Sequence, residues 1–235
     1  MNKWNLKLYI TKKHLLFILL FALIALIAQQ INFSKVIGAE QQYFTFFQFI
    51  GPIAGSFLGP IFGIAAIFAA QLSDLFIAGK AFSFINIFRL FPMLFAAYYF
   101  GTKKKHLSIV VPAICMALFW VHPIGAQAWF YALYWLIPIG IALFLKKNLF
   151  FKSLGATFTA HAIGSTIWLY TIPMTTQQWM MLMPVVAYER LFFALGISVS
   201  FVVFTTVLHK LENALPKGVL NIEAKYVLSK NFLKA

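Results

Sequence analysis

The chain has 235 residues, of which 62% are hydrophobic and 10% are charged, and its formal net charge is +14 at pH 7. So few charged residues cannot cover the surface of a water-soluble domain, and the composition therefore predicts a protein whose segments span a membrane. The lysines lie in short loops between apolar runs, where they report membrane topology, so the positive charge does not predict nucleic-acid binding.

Apolar runs of helical length follow one another along the chain. They lack the alternating ten-residue strands of an outer-membrane barrel, so they predict an all-α, polytopic bundle of six to eight transmembrane segments. The whole chain, residues 1–235, is expected to form this one domain, with 1–13 as a cytoplasmic N-terminus and 209–235 as a cytoplasmic tail. The predicted spans cover residues 14–32, 43–58, 60–78, 84–100, 107–122, 127–145, 154–172 and 184–208.

Glycines recur at intervals of four residues in the second and third predicted spans. This spacing leaves a stripe without side chains on a helix, against which another backbone can pack closely inside a membrane. A single straight helix over residues 43–78 would be about 54 Å long, well beyond a hydrocarbon core of about 30 Å. Pro60 marks the natural break, so the segment is predicted to be either two short spans or a re-entrant hairpin. The glycines expected to pack helices are Gly51, Gly55, Gly59 and Gly63.

Lysines flank the predicted spans unevenly. If residues 43–78 cross twice or loop back, one face of the membrane holds Lys35 and Lys80 and the other holds all remaining lysines. This asymmetry predicts a multi-pass protein of the cell membrane with both termini in the cytoplasm. The lysines of the cytoplasmic face would be Lys3, Lys7, Lys12, Lys13, Lys103, Lys104, Lys105, Lys146, Lys147, Lys152, Lys210, Lys217, Lys225, Lys230 and Lys234.

Polar and ionisable residues fall mostly in the outer half of the predicted bundle, and only His161 lies near the middle of its span. Each ionisable group inside a membrane costs about 2.5–3.5 kcal/mol on insertion scales, and such groups usually mark a pathway or a site. A polar cluster ringed by aromatic side chains suits a pocket for a small organic molecule. The candidate substrate-binding residues are Gln48, Gln71, Asp74, Asn86, Arg89, His122, Gln127, Trp129, His161, Trp179, Glu189 and Arg190.

Structural roles remain open for several of these residues. Asp74 and Arg89 could form an ion pair across the turn at Lys80, His161 could be an interior hydrogen-bonded histidine, and the histidine before Pro123 could cap its helix. Glu189 and Arg190 are adjacent and would project about 100° apart on a helix. One of the two is therefore expected to pair with Asp74 or Arg89, while the other extends outward.

Catalytic and cofactor motifs are missing from the sequence. It has no GxxxxGK[ST] phosphate loop, no HExxH, no CxxC and no GxSxG, so the chain is not expected to hydrolyse ATP by itself, to be an enzyme, or to hold a metal or cofactor. The single Cys115 lies in an apolar segment and cannot form an intrachain disulfide.

Three stretches resemble the substrate-binding S-components of energy-coupling factor vitamin transporters. The likeness rests on the lysine-rich N-terminus before a first helix, on FIGPIAGSFLGPIFGIAAIFAAQLSDLF, and on NIFRLFPMLFAAYYF closing with TKKKH. The last span, VVAYERLFFALGISVSFVVFTTVLHKLENAL, is similar to the final helix of such proteins. The chain departs from the family in having more predicted spans and in lacking an AxxxA pattern in its first helix.

The resemblance implies uptake of a vitamin or vitamin precursor, energised by separate scaffold and ATP-binding subunits. The expected partners are therefore a small-molecule substrate, membrane lipid and those subunits. The alternative is a membrane structural or assembly subunit of a cell-envelope complex, in which the polar cluster would be a protein contact and no small molecule would bind.

Overall fold

A computed structural model describes residues 12–35, 43–211 and 220–228 of the chain. The described residues form an all-α bundle apart from one two-stranded hairpin. Most of the predicted cytoplasmic N-terminus, residues 1–11, lies outside the described residues, as do residues 212–219 and 229–235 of the predicted tail.

The first half of the bundle contains six helices and the hairpin. Its elements are α1 Lys12–Gln29, β1 Asn32–Lys35, β2 Tyr43–Thr45, α2 Phe47–Ile50, α3 Ala54–Leu58, α4 Pro60–Ile77, α5 Phe84–Phe88 and α6 Phe91–Gly101. The strands pair antiparallel. The sequence analysis missed this hairpin, because such short strands carry too few residues to show an alternating pattern.

The second half contains the longest helices. Its elements are α7 His106–Val121, α8 Pro123–Gln127, a 3-10 helix Trp129–Trp135, α9 Leu136–Gly140, a π-helix Ile141–Leu145, α10 Leu149–Thr171, α11 Thr176–Lys210 and a 3-10 turn Ala224–Tyr226. The predicted span 127–145 is therefore not one continuous α-helix. Pro138 lies within it and has no backbone N–H to continue the helical hydrogen bonds.

The chain reverses at Gly59 and Pro60, where the sequence predicts a break. Gly59 has φ +80°, which favours glycine, and Pro60 takes the first position of α4, where its missing N–H costs nothing. A Cβ atom added to Gly63 would lie 2.5 Å from the Cα of Gly55, so α3 and α4 are in backbone contact. On another side of α3, a Cβ on Gly55 would collide with the carbonyl of Ala97 in α6.

Among the described residues, three segments are long and apolar enough to cross a membrane: Pro60–Ile77, Phe84–Gly101 and Thr176–Lys210. Four shorter apolar helical segments accompany them, at His14–Gln29, Phe47–Leu58, His106–Val121 and Trp129–Leu145. The bundle is thus compatible with a membrane protein, while helix length alone does not establish the six to eight crossings predicted from the sequence.

Helix α10 runs through the centre of the bundle and packs on α6, α7 and α11. Much of its surface is buried although it carries serine, threonine and histidine side chains. Hydroxyls in this helix bond the carbonyl one turn earlier, as Thr159 does with Gly155 and Thr166 with Ala162, both at 2.8 Å. Small and self-bonded polar residues therefore let α10 sit inside the bundle.

Lysines cluster at one end of the bundle, here called the lysine end and defined by Lys105, Lys146 and Lys152. Their ammonium groups donate hydrogen bonds to residues of other elements. Lys105 ties the turn before α7 to the π-helix, Lys146 ties the turn before α10 to α7, and Lys152 ties α10 to α3. The pairs are Lys105 with the carbonyl of Leu143 at 3.1 Å, Lys146 with Ser108 at 2.9 Å, and Lys152 with Ser56 at 3.3 Å.

The segment 220–228 closes the lysine end. The backbone N–H of Asn221 donates to the carbonyl of Phe57 at 2.9 Å, and the N–H of Leu228 donates to the hydroxyl of Thr206 at 3.0 Å. Because α3 ends at Leu58, the bond from Asn221 satisfies a carbonyl in its last turn.

Candidate functional site

A cavity of about 830 Å³ lies between α1, the hairpin, α4, α5, α10 and α11. Its wall mixes charged, amide and aromatic side chains from these elements, and the region is here called the cavity end. Most of the residues predicted as substrate-binding line it. These are Gln48, Gln71, Asp74, Asn86, Arg89, His161, Trp179, Glu189 and Arg190.

Asp74 anchors one side of the cavity, near the end of α4. Its carboxylate accepts a hydrogen bond from the ammonium group of Lys80 at 2.8 Å and another from the amide of Gln30 at 3.1 Å. These bonds join α4 to the loop that follows it and to the residue just after α1.

Arg89 and Asn86 occupy the neighbouring wall, at α5. The Asn86 amide donates to the carbonyl of Ala81 at 2.9 Å, and its oxygen accepts from Arg89 at 3.5 Å. The guanidinium of Arg89 also lies over the Trp168 ring, 5.5 Å from its centroid. A cation over an indole face is stabilised by the ring quadrupole, so Trp168 helps to hold Arg89 at the cavity wall.

Glu189 and Arg190 form an ion pair with each other, with Nη2 and Oε2 3.1 Å apart. The expectation that one would pair with Asp74 or Arg89 while the other extended outward is therefore wrong. The long arginine side chain bends back to its neighbour, donates to Thr157 at 3.4 Å, and lies 4.4 Å from the centroid of the Phe193 ring. A charged side chain buried this deeply requires such partners.

His161 lies in a buried hydrogen-bond network with a defined direction. The indole N–H of Trp135, which can only donate, is bonded to His161 Nδ1 at 3.2 Å. Nε2 of the neutral imidazole must then carry the hydrogen, which it donates to the hydroxyl of Tyr131 at 2.9 Å. The Tyr131 hydroxyl is in turn 3.2 Å from that of Ser165. His161 is thus an interior hydrogen-bonded histidine that also borders the cavity.

Four buried polar atoms at the cavity wall have no hydrogen-bond partner among the described residues. They are Gln29 Nε2, Gln71 Oε1, Trp179 Nε1 and Arg190 Nε. Buried polar groups in folded proteins are nearly always bonded, so each such atom calls for an explanation. All four atoms belong to residues that line this one cavity.

Three predicted residues do not line the cavity. His122 accepts from the backbone N–H of Ile124 at 3.2 Å and so caps α8, the alternative role considered for it. Gln127 accepts from Thr176 at 2.9 Å. Trp129 is 43% exposed and stacks on Phe130. These three residues were predicted from their positions near the ends of predicted spans, and that criterion does not separate residues that line the cavity from residues that do not.

The sequence analysis also missed cavity residues. Ser165 and Trp168 lie four and seven residues after His161, a spacing that places all three on one face of α10 and could have identified them. Tyr131 falls in the aromatic run of the 3-10 helix, where the sequence offers no signal for which ring faces inward. Lys80 was assigned only to a loop.

No group of three or more His, Cys, Asp or Glu side chains within the described ranges could hold a metal ion. Comparison with protein-family models, with curated proteins and with solved structures found no match for the chain. The resemblance to transporter S-components therefore stays a prediction from the sequence motifs.

Proposed function

We propose that this chain is a membrane-embedded binding subunit that captures a small organic solute, a vitamin or precursor, for uptake. The resemblance implies that separate scaffold and ATP-binding subunits supply the energy. The chain's own part is to bind the solute within the helical bundle.

The cavity is the observation that supports this proposal. A volume of about 830 Å³ falls within the range of small-molecule sites, which combine apolar walls with a few polar groups. Four charged residues that line the cavity and are at least partly buried, Asp74, Arg89, Glu189 and Arg190, are costly in an apolar bundle. The alternative, an assembly subunit, would place such groups on a flat surface for another protein and not around a cavity.

The proposed orientation places the lysine end in the cytoplasm and the cavity end towards the outside. The lysine excess in the loops supports this orientation by the positive-inside rule. Lys105 and Lys146, in the turns before α7 and α10, and Lys152, in the first turn of α10, make the contacts that define this end of the bundle.

A topology reporter tests this orientation. A reporter fused after Lys105, and another at the C-terminus, should both read cytoplasmic, while one inserted after Lys80 should read external. An external signal after Lys105 would contradict the proposed double passage of residues 43–78.

A thermal-shift screen tests solute capture. We expect at least one member of a panel of vitamins, nucleobases and their precursors to stabilise the purified wild type, since a ligand that binds only the folded state raises its stability. Arg89→Ala should weaken that effect. Lys147→Ala removes a cation from the exposed surface near the lysine end and should leave it unchanged. If no panel member stabilises the wild type, the assembly-subunit alternative is favoured.

A further inference from the structure

The partnerless atoms contributed by α11 are both hydrogen-bond donors. Trp179 is 1% exposed, and its ring is held edge-on by Phe119 and Tyr131, with centroids 5.3 and 4.9 Å away. Its indole N–H can donate but never accept, and it has no acceptor among the described residues. Whatever satisfies this group must therefore carry an acceptor atom.

Arg190 presents a second donor of the same kind. Its two terminal nitrogens are used by Glu189 and Thr157, while its Nε–H has no acceptor within the described part of the chain. The side chain is buried, and a guanidinium has no acceptor atom. The Nε–H of Arg190 therefore also requires an acceptor.

The hydroxyls of Tyr131 and Ser165 supply a third donor. Tyr131 already accepts the hydrogen of His161, and the two hydroxyls share one bond. Each hydroxyl carries one hydrogen, but the bond between them uses only one of the two. Whichever hydroxyl donates, one O–H hydrogen remains without an acceptor among the described residues, and both side chains line the cavity.

We propose that the cavity wall carries a donor surface, formed by Trp179, Arg190 and the Tyr131–Ser165 pair, which binds carbonyl or carboxylate acceptors of a ring-containing solute. The inference rests on the proposed function and specifies its substrate class. An ammonium or other donor-only group would leave Trp179 Nε1 and Arg190 Nε without an acceptor, because neither nitrogen can accept a hydrogen bond. The Arg190 charge, partly balanced by Glu189, favours an acceptor that is neutral or negative over one that is positive.

The aromatic residues that line the cavity are the reason for proposing a solute that contains a ring. Trp168, Trp179 and Tyr131 line the same cavity, together with Phe44 from the hairpin. Aromatic walls favour a flat ring, which gains contact area against them. The solute is thus held by its ring against these walls and by its acceptor group at the donor surface.

Matched ligand sets test the proposal on the wild-type protein. The probes share a benzene, pyridine or indole ring and differ in one substituent, which is a carboxylate, a carboxamide or an aminomethyl group. We expect the carboxylate and carboxamide members of at least one set to raise the melting temperature and the aminomethyl member to leave it unchanged. Equal or greater stabilisation by the aminomethyl members would overturn the proposal, as would no stabilisation by any member.

A pair of tryptophan variants tests the same surface independently. Trp179→Phe keeps an aromatic ring but removes the N–H, so it should weaken binding of the stabilising carboxylate or carboxamide about tenfold. Trp129→Phe makes the same change outside the cavity and should leave the affinity unchanged. Equal affinity in both variants would overturn the assignment of Trp179.

Different results would contradict the donor surface and the proposed solute capture. If the broad screen finds a ligand but the matched sets show no preference for acceptors, the donor surface is wrong and solute capture stands. If neither the screen nor the sets stabilise the protein, solute capture itself is contradicted.

Discussion

The two ends of the bundle differ in whether their buried polar groups have hydrogen-bond partners within the protein. At the lysine end, Lys146 donates to Ser108 and lies 4.2 Å from the centroid of the Tyr99 ring, and Lys152 is bound by Ser56 and Glu223. At the cavity end, Trp179, Arg190, Gln29 and Gln71 each keep a buried atom without a partner among the described residues.

This contrast separates structure from function within one bundle. Groups that only hold the fold together are satisfied by the protein itself, as at the lysine end. Groups left unsatisfied cost free energy, and such a cost is tolerated where an external molecule completes the bonds. This contrast supports the proposal that the cavity end is the binding region and the lysine end its support.

The largest expected effect comes from breaking the support at Gly55. Gly55→Ala should abolish accumulation of folded protein, because the new Cβ would collide with the Ala97 carbonyl, and backbone cannot move aside as a flexible side chain can. Expression level and thermal stability in detergent measure the effect.

Gly140→Ala is the matched control for this substitution. Gly140 has a helical φ of −60°, and a Cβ added there would meet no atom within 4 Å. Alanine should be tolerated, or should stabilise by about 0.5–1 kcal/mol through helix propensity. Equal loss of protein in the Gly55 and Gly140 variants would show that the crossing is not the cause.

A smaller but still large effect is expected from breaking the ion pair at the cavity end. Glu189→Ala leaves the Arg190 guanidinium buried without its carboxylate, which should cost about 3–5 kcal/mol of unfolding free energy. The double variant with Arg190→Met should be more stable than Glu189→Ala alone. If the two single effects simply add, the residues are not coupled in the way the geometry indicates.

Patterns repeated along the chain were predictable from the sequence. Pro60 predicted the break between α3 and α4, and the glycine spacing predicted the close packing at Gly55. Gly59, which the same spacing predicted to pack a helix, has no atom within 4 Å of an added Cβ and instead supplies the positive φ of the turn. The depth of Asp74, Arg89 and Glu189 in their predicted spans led to the cavity, because ionisable groups inside a bundle have few other locations.

The direction in which individual side chains point was not predictable from the sequence. The pairing of Arg190 with its neighbour depends on a flexible side chain, and the inward turn of Tyr131 depends on the 3-10 helix that carries it. The exposure of Trp129, in contrast with the burial of Trp179, is set by packing between distant segments. A single sequence does not report such packing.

The smallest expected effect is a pH dependence at the lysine end. Burial, with a further contribution from the charge of Lys152, lowers the pKa of Lys146 to about 8. Between pH 8 and the ordinary lysine pKa, the unfolded chain keeps a proton that the folded protein has released, so the free energy of unfolding rises with pH in this window. Lys146→Met should lack that rise.

Thermal melts at pH 7.5 and pH 9.5 measure this effect. The wild type should gain stability relative to Lys146→Met at the higher pH, while a variant of the exposed Lys147, Lys147→Met, should follow the wild type. A constant difference between wild type and Lys146→Met at both pH values would contradict the burial of a charged Lys146.

Native mass spectrometry of the purified full chain tests the central claim most directly, because it asks whether the cavity end carries an occupant. Wild-type protein released gently from detergent should show a small organic molecule bound in a one-to-one ratio, and Trp179→Phe should show less of it than Trp129→Phe. All three proteins are purified from cells grown in rich medium. If the wild type carries no bound small molecule and its spectrum matches those of both variants, the account is contradicted.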